Sequence, residues 1–160
     1  MPTDREFIKR AQKGQYGSLG ASTPNAEVDK MHQRRIVVRT ILDAAASTVN
    51  VLSLGVMDRA VKVVSCKFIC DGAVTAHDTN FKTLSVEKTD TAGGAFVVIA
   101  SISTTVAGTG NIVALIPETL TLTAANAEVA AGGQLVFRTA VGASGVVVPA
   151  GTVEVVYEEI

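Results

Sequence analysis

Tryptophan is absent from this chain, and only two Tyr and five Phe are present. A core without large rings has to be assembled from Val, Ile, Leu and Ala. The shortage also removes the aromatic platforms on which single-stranded nucleic-acid sites stack their ligands. Histidine is limited to His32 and His77, and cysteine to Cys66 and Cys70, four positions apart in one predicted strand. Residues so spaced on a strand lie about 13 Å apart, beyond the roughly 7 Å that a disulfide tolerates between Cα atoms. Both are therefore expected as buried, reduced thiols, matching a protein made in a cytoplasm. No apolar run approaches the roughly 18 residues of a membrane helix. The charged stretch Met1–Arg10 has no apolar segment of the signal-peptide kind. No membrane partner is expected.

Hydrophobic residues make up 48% of the 160 and charged residues 18%. The chain is too apolar to be disordered and has less charge than the roughly 25% of ordinary domains. Its length fits one domain with a tail. Apolar surface in excess of one small core predicts association with other chains, here a homo-oligomer, dimer or trimer.

The net charge of −1 hides a split. Residues 1–39 carry eight basic and four acidic residues, a net +4, and the remainder six basic and eleven acidic, a net −5. A basic N-terminal stretch thus precedes an acidic body, and the chain is expected to divide into an arm, residues 1–33, and a domain, residues 34–160. Thr3 and Glu6 fit a capping box opening a short helix, which Gly14 and Gly17 end. Phe7 and Ile8 are its apolar anchors, and Arg5, Lys9, Arg10 and Lys13 its cationic contacts for an acidic partner, with Arg34 and Arg35 beyond. A helix this short with so narrow an apolar stripe needs a partner to be stable. Residues 14–26, rich in Gly, Ser, Thr, Pro and Asn, read as a connector.

From Arg34 onward Val/Ile/Thr-rich segments alternate with turns such as Asp71-Gly72, Gly93-Gly94 and Gly132-Gly133. Strands are expected near 34–42, 48–53, 60–70, 82–89, 96–104, 119–122, 135–139 and 152–158. In the third, Val61, Val63, Ser65, Lys67 and Ile69 share one face and Lys62, Val64, Cys66, Phe68 and Cys70 the other, so a strand apolar on both sides is expected at a sheet centre. Residues 111–117 are left between a helical crossover and another strand. Eight short strands without intervening helical periods predict an all-β fold, an antiparallel β-sandwich of jelly-roll topology with an N-terminal arm containing a short helix.

No catalytic constellation emerges. His77 precedes Asp78 but lacks a nucleophile elbow and fits better as a residue closing a turn. Cys66 and Cys70 followed by His77 and Asp78 lack the tight knuckle of a zinc site, so no metal is expected. Gly108 and Gly110 lack the third glycine of a phosphate loop, so no cofactor is expected either. Glu154, Glu158 and Glu159 fit a solvated strand end better than a glycosidase pair. Arg34, Arg35 and Arg39 without aromatic neighbours do not make a specific nucleic-acid site.

The runs Asp78–Val86, Gly93-Gly94 with the apolar strand after it, Leu120–Leu122, Val129–Leu135 and Val148–Tyr157 occur in an order that resembles the decoration, or cement, proteins of tailed-bacteriophage capsids. The resemblance spans roughly residues 60–158. It implies a β-sandwich, often a jelly roll, on the outer surface of the virion head, with arms reaching across neighbouring subunits of the major capsid protein. It implies no enzyme activity and carries no catalytic residues. Similar texture in phage tail and head-fibre modules keeps a receptor- or carbohydrate-binding module as the alternative.

Overall fold

A computed structural model describes residues 33–40, 47–89 and 94–160. The expected arm helix falls outside them. Residues 34–160 group as one unit, and its described segments are all-β and antiparallel.

The strands among the described residues are β1 (Gln33–Thr40), β2 (Val51–Val56), β3 (Val61–Cys70), β4 (Phe81–Thr89), β5 (Val97–Ser103), β6 (Pro117–Thr119), β7 (Thr121–Leu122), β8 (Glu128–Val129), β9 (Gln134–Gly142) and β10 (Gly151–Glu159). One sheet runs β1-β10-β3-β6, with β8 also paired to β3; the other runs β2-β9-β4-β5-β7. Setting aside the two-residue strands β7 and β8, the pairing is nested. β1 meets β10, β2 meets β9, β3 meets β6 and β4 meets β5.

The two sheets share one core. Val61, Val63, Cys66, Phe68, Val153 and Val155 from the first sheet pack with Leu84, Val86, Ile99, Ala100, Leu135 and Phe137 from the second. Phe68 and Phe137 stack at 5.6 Å with ring planes 17° apart, linking β3 to β9. Branched aliphatic side chains on pleated strands fill a layer between sheets well, and Phe68 and Phe137 lie fully buried within it.

Three local features depart from the sequence reading. β3 is central, as its apolar faces predict, but its alternation is not uniform. Val156 pairs with Ser65 and Tyr157 with Val63, leaving Val64 as an extra residue. This bulge reverses the inward parity, so Val61 and Val63 face the core at one end of the strand and Cys66, Phe68 and Cys70 at the other. Second, the single strand expected at 119–122 is split between sheets. β6 pairs with β3 and β7 with β5, while Leu120 between them is 1% exposed and inserts into the core. Third, residues 111–117 form neither a crossover helix nor a full strand; a lone bridge joins Ile112 to Val74, and β6 starts only at Pro117.

Gly151 opens β10 where no side chain fits. A Cβ there would meet the Ile69 carbonyl and come within 2.8 Å of the Phe68 ring. The glycine lets β10 approach the core ring closely.

Candidate docking surface

Strand registers decide which loops gather. Gly151 lies opposite Cys70 and Pro117 opposite Ile69 in one sheet. In the other, Phe81 lies opposite Gly142 and Thr83 opposite Ser103. The connections 71–80, 104–116 and 143–150 therefore converge on one end of the domain. Main-chain bonds tie them together. Val74 and Ile112 exchange bonds of 2.9 Å, the Asp71 amide donates to the Ala150 carbonyl at 2.9 Å, and the His77 amide donates to the Thr104 carbonyl at 3.0 Å. Side chains add to the bracing. Asn111 Oδ1 accepts from the Ala76 amide at 2.8 Å and Asp78 Oδ1 from the Val106 amide at 2.9 Å. His77 Nδ1 accepts from the amides of Thr79 and Asn80 at 3.1 and 2.9 Å, closing a turn.

This braced end presents apolar side chains to solvent. Val106, Val113, Leu115, Ile116 and Val147 are all roughly half exposed or more, Leu115 reaching 70%. Leu115 also sits at φ 62°, while its amide donates to the Cys70 carbonyl at 2.7 Å. A left-handed leucine costs roughly 1–2 kcal/mol, and here the strained residue is held with its side chain outward. Strain of this kind collects at contact sites. Loops 104–116 and 143–150 contain no Asp, Glu, Lys or Arg, and the connection 71–80 adds only the two acidic residues Asp71 and Asp78.

Two polar features lie elsewhere. On the outer face of the second sheet, the Glu87 carboxylate is buried, accepts from Ser85 Oγ at 2.6 Å and lies 3.6 Å from Arg138 Nη1. The Arg138 guanidinium lies 5.3 Å from the Phe96 ring centre, a cation–π distance. Beside β5, β6 and β7, an open groove of about 580 Å³ is lined by hydroxyls, including those of Thr83, Ser101, Ser103 and Thr121, with Glu118 at its side.

The two thiols are chemically quiet. Both are free and buried. Burial pushes the Cys66 thiol up to about 12, and burial also raises that of Cys70. His77 holds its turn and both sulfurs sit in the core, so the four residues Cys66, Cys70, His77 and Asp78 are not assembled as a ligand set. Among the described residues no three His, Cys, Asp or Glu side chains converge as a metal site. Glu159 pairs with Arg59 at 3.1 Å, the two being 30% and 68% exposed.

Of the residues singled out in the sequence, Arg5, Phe7, Ile8, Lys9, Arg10 and Lys13 lie outside the described residues. Arg34 and Arg35 fall on β1, an edge strand of its sheet. The apolar loop residues and the Glu87–Arg138 pair were not among the sequence candidates. A signal existed for the former: no charged residue occurs between Asp90 and Glu118, or between Arg138 and Glu154.

Compared with known proteins, the chain matches no family model and no curated protein.

Proposed function

We propose that this chain is a structural capsid decoration protein of jelly-roll topology, which binds the outer surface of a tailed-phage head as a homo-oligomer and stabilises it. The observation that carries the reading is the braced loop end, where the connections 71–80, 104–116 and 143–150 together carry five exposed apolar side chains and two acidic residues. A cement protein needs contact area, and a preformed apolar surface binds without an ordering cost. The nested pairing of eight strands supports the jelly-roll assignment, because folding one long antiparallel ribbon upon itself gives that order. In this reading the basic arm, through Arg5, Phe7, Ile8, Lys9, Arg10 and Lys13 with Arg34 and Arg35, engages an acidic surface of the major capsid protein. The loop end supplies apolar area. The protein is made in the host cytoplasm and resides on the virion, with no catalytic role.

The test uses virions that carry this chain, stripped of it and re-exposed to purified protein. Wild type should co-sediment with expanded heads. Leu115→Asp together with Val113→Asp should weaken binding at least tenfold while the β circular-dichroism spectrum is retained. A chain beginning at Val28 should also bind more weakly, and the wild-type affinity should fall with salt. Heads that lack any site for the wild-type chain would sink the proposal.

The Ser/Thr-lined groove favours a second reading, a carbohydrate- or receptor-binding module. Glycan binding that Glu118→Ala abolishes, without any head binding, would select it.

A further inference from the structure

We infer that the free edge of β2 is the self-association surface of this protein, pairing antiparallel with the β2 edge of a second copy about a two-fold axis. The inference deepens the homo-oligomer of the preceding reading and rests on it.

β2 ends its sheet, with β9 on one side and, among the described residues, no strand on the other. The Asn50 carbonyl accepts from the Thr139 amide at 2.9 Å, and Thr139 Oγ1 accepts from the Asn50 amide at 2.8 Å. Asn50 therefore turns its main chain toward β9. By strand alternation Val49, Val51 and Ser53 turn theirs toward the open edge. Val49 is 48% exposed and Val51 55%. Leu52 and Leu54 point the other way, into the core. The edge thus offers amides and carbonyls that no strand among the described residues meets, flanked by exposed β-branched side chains.

Charge identifies the occupant. Exposed edges are ordinarily guarded by Lys, Pro or inward charges. Of the other edge strands, β1 contains Arg34, Arg35 and Arg39 and β6 contains Pro117 and Glu118, while β7 is only two residues long, another way of blunting an edge. β2 breaks the rule, since no charged residue or proline occurs from Ser47 to Met57. A two-fold pairing sets each residue against its own strand, so any charge near the axis meets its like. An edge that carries none is compatible with its own copy. Three arginines on β1 would repel in the same arrangement.

The length of the pairing is set by a bulge. The register with β9 slips between Ser53 and Gly55, and Gly55 sits at φ +134°, a region that favours glycine. The strand bends there, which confines regular pairing to about Val49–Ser53 and fixes one register. This limit blocks open-ended stacking, and a two-fold contact closes on itself.

The experiment uses the full chain. Light scattering at micromolar concentration should give a dimer for wild type, and Val51→Lys should give a monomer with an unchanged circular-dichroism spectrum. Val113→Lys, at the loop end, should remain dimeric. Single cysteines at Val49, Val51 or Ser53 should form a covalent dimer under mild oxidation at one position at least, because the native thiols are buried. A wild-type monomer, a trimer, or a dimer indifferent to Val51→Lys would overturn the inference. Should the chain beginning at Val28 be monomeric, with Val51→Lys adding nothing, the strand on β2 would come from the arm, which also overturns it. A β2 dimer that ignores phage heads sinks the decoration reading alone; a monomer that binds heads sinks this inference alone.

Discussion

Phe68 on β3 and Phe137 on β9 stack face to face across the domain, 5.6 Å between centroids. Each is fully buried, and each belongs to a different sheet. In a chain this poor in rings, the pair anchors the packing of one sheet on the other. Either Phe68→Ala or Phe137→Ala should cost about 3–5 kcal/mol in urea unfolding. The double variant should cost less than the sum, by about 0.5–1.5 kcal/mol. Strict additivity would show that the rings are energetically independent.

The Cys66 thiol predicts an alkaline weakness. Burial holds it at about 12 against an open-chain value of 9.0. Below the open-chain value the thiol is protonated in both states and contributes nothing to the pH dependence. Above it the unfolded chain loses a proton that the folded chain keeps, so stability falls as pH rises, on the order of 1 kcal/mol per pH unit. Cys70 shifts in the same direction through its own burial. Urea midpoints from about pH 8 to 11 should decline, and Cys66→Ala should flatten the slope. An equal slope in the variant would contradict the assignment.

Arg138 is expected to matter because of what Glu87 would become without it. The Glu87 side chain is 6% exposed, and among the described residues Oε2 has no hydrogen-bond partner, only the Arg138 guanidinium at an ion-pair distance of 3.6 Å. Arg138→Ala should destabilise by about 1–3 kcal/mol, since it strands a buried carboxylate. Arg138→Met combined with Glu87→Leu should recover most of that loss, because an apolar pair replaces a desolvated ionic one. Differential scanning calorimetry of the three proteins decides the point.

Gly151→Ala should also destabilise, by about 1–3 kcal/mol. The added methyl would press on the Ile69 carbonyl and the Phe68 ring. A thermal midpoint equal to that of wild type would mean that β10 can shift outward at no cost.

Much of the architecture is written locally. Runs such as Val61–Cys70 and Phe81–Thr89 mix β-branched and aromatic residues between turn signals, a strand pattern legible in the sequence alone. The quiet role of His77 and the burial of both thiols also follow from neighbours in sequence. The parity of β3 does not, because the extra residue at Val64 is defined only against its partner β10. Nor does the split at Leu120, where one short run serves two sheets because the core between them needs a side chain there.

By itself the sequence determined that this protein is all-β, built on aliphatic packing, with a basic leader ahead of an acidic body. Alternation and turn chemistry are properties of adjacent residues, and charge is a sum over them. Only the tertiary structure decided that Val106, Val113, Leu115, Ile116 and Val147 share one end, and that Glu87 lies beside Arg138. Those groupings depend on strand register, which joins residues far apart in the chain and which no local preference fixes.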